Sequence, residues 1–160
     1  EEQIAVLSRR FPGRIGHLAT FREDSAHRLI AGSDMLVVPS RFEPCGLVQM
    51  YALRYGTLPI VHRTGGLADS VTALTPATLA NGSGTGFLFD RPAASDLAAC
   101  ARSALALFRD DPAAWREAQR NAMGQDLGWR RSAAEYVEVY RKALEQRRRR
   151  PGADARSPAG

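Results

Sequence analysis

A chain of 160 residues, 44% hydrophobic and 24% charged, can bury one core, and its composition is that of a globular domain rather than a disordered or fibrous segment. No apolar run approaches the roughly 18 residues of a spanning helix, and no signal-peptide core is present. Two distant cysteines, Cys45 and Cys100, exclude a disulfide scaffold, so a cytoplasmic setting is expected. The net charge of +5 lies wholly in residues 141–160, with seven basic and two acidic side chains, whereas residues 1–140 hold 15 of each sign.

Residues 1–10 read as a helix already under way, with Ile4, Val6 and Leu7 apolar, that ends at Pro12 and Gly13; the beginning of the fold is expected upstream. Residues 14–19 read as a short strand, 25–31 as a helix ending at Gly32, and 34–38 as a strand of buried type. Apolar spacing predicts a helix over residues 46–54 that ends at Gly56, then a strand over 58–62. A short helix over 65–72, a polar loop over 75–85 and a strand over 86–89 follow. Three helices close the chain, over 96–108, 112–124 and 132–146. Strands alternating with helices across short Gly- and Pro-marked connections predict an α/β fold with a parallel sheet covered by helices. Residues 147–160 are Arg, Pro, Gly, Ala, Asp and Ser without apolar periodicity and read as a basic, disordered tail. Such a tail is either solvated or touches RNA, anionic lipid or an acidic protein; no aromatic residue interleaves its arginines, which argues against nucleic acid.

Two segments carry the chemistry. Pro39-Ser40-Arg41-Phe42-Glu43-Pro44-Cys45-Gly46-Leu47 places one carboxylate at a strand-to-helix junction, and Thr64-Gly65-Gly66-Leu67-Ala68-Asp69 places a glycine pair at the next. A helix opening near Gly46 offers unpaired N–H groups and the positive end of its dipole, an anion cradle with an acid beside it. On the residues alone Glu43 is either that acid or a cap of the following helix, and the glycine pair is either a ligand wall or a tight turn.

The run SRFEPCGLVQMYALRYGTLPIVHRTGGLADSV resembles the C-terminal half of bacterial glycogen synthases, and the likeness extends more loosely from about Ile15 to about Leu144. The resemblance implies a Rossmann-like parallel sheet with flanking helices over residues 1–146, a partial C-terminal domain of a GT-B glycosyltransferase. It implies a retaining transferase that moves glucose from ADP-glucose to the non-reducing end of an α-1,4-glucan, with neither metal nor cofactor. Glu43 matches the family's glutamate beside the donor glucose and is the catalytic candidate. Cys45, Gly46 and Leu47 match main chain that faces the donor phosphates, and Gly65 and Gly66 match glycines at the donor sugar and pyrophosphate. Phe21, six positions before His27, matches an aromatic that stacks on adenine, commonly tyrosine; as a plain sequence feature it is equally a core residue. Val48 stands where the family often has a phosphate-binding threonine. Tyr51, eight positions after Glu43, stands where many other retaining GT-B enzymes carry a ribose-binding glutamate, which favours the glycogen and starch branch.

The family's phosphate-binding arginine and lysine and its acceptor wall would precede Glu1, so the resemblance implies a missing N-terminal GT-B domain as partner and an inactive isolated chain. His27 and His62 have no ligand-spaced partners and read as structural. The alternatives are another retaining GT-B transferase, a non-catalytic nucleotide-sugar-binding module, or an interaction protein on a truncated Rossmann remnant.

Overall fold

The computed structural model describes residues 2–149. They divide between Gln125 and Asp126 into two compact units. The first begins with helix α1 (Glu2–Arg10) and α2 (Glu23–Ala31), followed by β1 (Met35–Val38), α3 (Val48–Tyr55) and β2 (Leu58–His62). It continues through α4 (Gly65–Ser70), α5 (Pro76–Ala80), β3 (Phe87–Phe89), α6 (Ala94–Asp110) and α7 (Pro112–Met123). The second holds α8 (Trp129–Arg148), an amphipathic helix that presents Tyr136, Val137, Tyr140 and Leu144.

The strands form one parallel sheet in the order β1-β2-β3, with Val38 beside Val61 and Ile60 beside Phe87. Every residue of the central strand β2 is buried, as expected of a strand with neighbours on both sides and helices on both faces. Its alternation divides the core. Leu58 and Ile60 join Leu53, Phe87, Ala104, Trp115, Ala118 and Ala122, while Val61 joins Val38, Leu67 and Val71. The small alanines let α6 and α7 approach closely, and Trp115 fills the space between them, stacked on Phe87 and edge-on to Phe108. Thr57 pins α2 to the start of β2, its one hydroxyl hydrogen shared between Ile30 O at 2.6 Å and Ser33 O at 2.9 Å. Cys100 packs partly buried against the first cluster, and burial pushes its thiol up.

Four expectations are revised. Residues 14–19 form no strand: the Arg14 and Ile15 N–H groups donate to Phe11 O, and Ile15 O accepts from Ser8 Oγ, which ties the start of the segment to the end of α1. The loop over 75–85 contains α5, opened by a capping box in which Thr75 and Thr78 satisfy each other's N–H, with Pro76 at the first turn. Helix α3 begins at Val48 rather than Gly46, leaving Cys45, Gly46 and Leu47 as loop. Helix α8 starts at Trp129 and runs through Arg148, so the expected tail boundary at 147 falls inside it; residues 150–160 of that tail lie outside the described residues.

Candidate active site

The segments leaving β1 and β2 emerge side by side, because the two strands are parallel and in register. This is the carboxyl end of the sheet, where open α/β folds hold their ligands. Residues 39–47 form the first segment, and Arg63 and Thr64 lead into α4 in the second.

The two segments join backbone to backbone. Gly66 N–H donates to Glu43 O at 3.0 Å. A Cβ at Gly65 would lie 2.1 Å from Glu43 O, and a Cβ at Gly66 would lie 1.9 Å from Cys45 O, far inside any tolerable contact. Gly65 also has φ +42°, which disfavours a side chain independently. The glycine pair therefore answers first to the neighbouring loop. The Gly66 amide is committed to that loop.

Gly46 turns the chain at φ +67°, and its hydrogens face the side chains of Gln49 and Glu43. Glu43 is half-buried, and its Oε2 accepts from Ser40 Oγ at 3.5 Å. No side chain caps α3, which opens five residues after Glu43, so the carboxylate does not serve as that helix's cap. With α3 left uncapped at this mouth, the positive end of its dipole faces the same loop. Cys45 and Leu47 are exposed beside it.

His62, 7% exposed, sits at the end of β2 with Nδ1 2.8 Å from Ser40 O and Nε2 3.2 Å from Asp90 O. It is structural, as expected, and it ties the base of the Glu43 loop to the end of β3. Arg63 and Asp90 close the rim with an ion pair at 2.6 Å, both side chains well exposed. His27 lies on the α2 side, its Nδ1 3.1 Å from Tyr55 Oη and its ring 4.7 Å from that of Tyr51. Tyr51 is thus held by an aromatic neighbour. Phe21 is 84% exposed ahead of α2.

Sequence reasoning missed Gln49 and Ser70. Gln49 is fully buried, and its Nε2 donates to Gly46 O at 2.9 Å and to Ser70 Oγ at 3.0 Å. A glutamine among the apolar positions of α3 was the available signal. Among the described residues no group of three or more His, Cys, Asp or Glu is placed to hold a metal ion, and no helix is long and apolar enough to cross a membrane.

A three-stranded parallel sheet covered by helices, with two loops knitted together at its carboxyl end, is the Rossmann-like architecture of a GT-B glycosyltransferase domain, present here in part. The chain belongs to the glycosyl transferases group 1 family, which matches residues 16–122. It is 46% identical over 144 residues to a glycogen synthase of Edwardsiella ictaluri, covering 90% of this chain and 30% of that enzyme. It is 47% identical over 146 residues to a glycogen synthase of Desulforudis audaxviator, covering 91% and 29%. Among solved structures, the catalytic domain of starch synthase IV from Arabidopsis thaliana, bound to ADP and acarbose, superposes with a TM-score of 0.79 at 31% identity, covering 90% of this chain and 30% of that one. The chain spans about 30% of the length of the relatives it matches.

Proposed function

We propose that this chain supplies the donor-binding wall of a retaining glucosyltransferase that moves glucose from ADP-glucose to the non-reducing 4-hydroxyl of an α-1,4-glucan, as a glycogen synthase does. The observation that carries this reading is the junction of the Glu43 loop with α4, which holds a carboxylate, a left-handed glycine turn and an uncapped helix end at one mouth of the sheet. In the transfer, negative charge grows on the departing diphosphate and positive charge on the oxocarbenium-like sugar, so preorganised groups of opposite sign are needed a few ångströms apart. The N–H groups of Cys45, Gly46 and Leu47 and the start of α3 take the diphosphate end. Glu43 takes the sugar end, hydrogen-bonding its hydroxyls near the anomeric carbon. Gly65 and Gly66 let α4 approach closely enough to form the floor beneath them. Phe21, exposed ahead of α2, stacks on the adenine.

The phosphate-binding arginine and lysine belong near the start of this same domain, ahead of Glu1, and the acceptor wall belongs to an opposing N-terminal GT-B domain, with the donor closed between the two. A cytoplasmic setting accords with two free cysteines.

The test is incorporation of radiolabelled glucose from ADP-glucose into glycogen. It compares this chain alone with the chain carried in a polypeptide of the relatives' full length, for example the Edwardsiella ictaluri enzyme with its matching segment replaced. Incorporation is expected only in the longer polypeptide. Incorporation by the 160-residue chain alone would overturn the need for both walls. Its absence from the folded longer polypeptide would overturn the donor reading.

A further inference from the structure

We infer that Gln49 and Ser70 are positioning residues that set the spacing between the Glu43 loop and α4, and through it the reach of Glu43 to the donor; the last step rests on the function proposed above. The side chain of Gln49 is fully buried, yet it is not there for packing alone. Its Oε1 is buried without a hydrogen-bond partner, a cost that a leucine or methionine of similar size would avoid. What the amide supplies instead is its nitrogen. Nε2 donates to Gly46 O at 2.9 Å and to Ser70 Oγ at 3.0 Å, with Cys45 O at 3.3 Å sharing the first hydrogen. Ser70 Oγ passes the connection on, donating to Gly66 O at 2.5 Å.

These bonds close a ring. Glu43 O accepts from Gly66 N–H, Gly66 O accepts from Ser70, Ser70 accepts from Gln49, and Gln49 donates back to the turn that follows Glu43. The ring joins residues 21 apart in sequence. The amide can adopt only one orientation, because a flip would set Oε1 against the carbonyl oxygens of Cys45 and Gly46. Glycine at 46 is part of the same device: a Cβ there would stand 2.7 Å from Gln49 Oε1 and 3.1 Å from Glu43 Cγ. Neither Gln49 nor Ser70 needs to touch the donor. They fix the two joined pieces of backbone on which it would lie.

The test uses the full-length polypeptide with four single variants: Gln49→Met, which keeps volume and removes the donor group; Gln49→Glu, which turns a carboxylate on two carbonyls; Ser70→Ala; and Ser70→Thr, which keeps the hydroxyl. Hydrogen exchange of the Gly66 amide reports the ring directly and independently of activity. Gln49→Met, Gln49→Glu and Ser70→Ala are expected to speed that exchange roughly tenfold or more, as one or two net hydrogen bonds are lost, while the amides of β2 stay protected. The same three variants are expected to lower kcat by about 100-fold, the scale of an ångström misplacement, with the KM for glycogen unchanged. Ser70→Thr is expected to match the parent in both readouts. Unchanged Gly66 exchange in Gln49→Met would overturn the inference, as would equal loss of protection throughout β2, which marks a merely structural role. Faster Gly66 exchange with unaltered kcat would overturn the positioning of Glu43. If the parent polypeptide transfers no glucose, the donor reading falls by itself, and the exchange result still decides whether Gln49 and Ser70 hold the loops together.

Discussion

Adding one methyl group at Gly66 should uncouple the two halves of the site without unfolding the domain. A Cβ there would sit 1.9 Å from the Cys45 carbonyl oxygen, 2.6 Å from its carbon and 2.7 Å from its Cα, whereas Cβ atoms essentially never come within 3.0 Å of such atoms. The obstruction is backbone, so no rotamer relieves it; the Glu43 loop and α4 must separate by about 1 Å, a displacement that costs on the order of 100-fold in rate when it moves a reacting group. The same shift stretches the Gly66 to Glu43 hydrogen bond, now 3.0 Å. Overpacking of this kind costs about 1–3 kcal/mol of stability, which a domain whose larger core cluster takes no residue from α4 or the Glu43 loop can absorb. Gly66→Ala in the full-length polypeptide is therefore expected to fold, to melt a few degrees lower, and to lose about two orders of magnitude in kcat for glucose transfer. Gly16→Ala is the control, since nothing lies within 4 Å of a Cβ built there. A Gly66→Ala variant with near-parental kcat would refute the reasoning, because the added methyl meets the main chain of the proposed site itself.

Glu43→Ala should lower kcat by on the order of 100-fold or more while leaving the melting temperature near the parent's, since Glu43 neither caps α3 nor belongs to a core cluster; equal kcat would remove Glu43 from the reaction. Phe21→Ala should weaken ADP binding by roughly 1–3 kcal/mol and Phe21→Tyr should be near neutral, read by calorimetric titration with ADP and UDP. Unchanged ADP affinity would take Phe21 out of the site, and tighter UDP than ADP binding would point to another branch of GT-B enzymes. The hydrogen bonds from Arg91, above all, hold the Asp96 carboxyl below its ordinary range at the start of α6. A depressed folded pKa contributes stability that is present above the unfolded pKa and lost as pH falls through the folded one. Asp96→Asn should therefore flatten the acid limb of the melting curve below about pH 4; an unaltered acid limb would show the pair to be without consequence.

The elements that pack on themselves were legible in the sequence. The apolar runs at Met35–Val38 and Leu58–His62 announce the strands, although only the second is buried throughout, and Gly56 ends α3 where expected. Residues 14–19 misled because a short run with apolar Ile15, Leu18 and Ala19 says nothing about a partner strand, and local bonds hold Arg14 and Ile15 to the end of α1. Helix α5 hid behind polar composition, although Thr75, Pro76 and Thr78 spell a capping box once that pattern is sought. At the site, Glu43 and the glycines could be found from their junctions, but the reason for Gly66 could not, because the Cys45 carbonyl that demands it lies on another element. The ring through Gln49 and Ser70 escaped for the same cause: its bonds join residues that only the folded sheet brings together.

The central claim is that a sugar-nucleotide donor lies on the joined Glu43 and α4 loops. A crystal structure of the full-length polypeptide with ADP-glucose tests it most directly. The expected result places the glucosyl hydroxyls within hydrogen-bond reach of the Glu43 carboxylate, the diphosphate against the amides of Cys45, Gly46 and Leu47, and the adenine on Phe21. A donor bound away from both loops, with Glu43 out of reach of the sugar, would contradict the account.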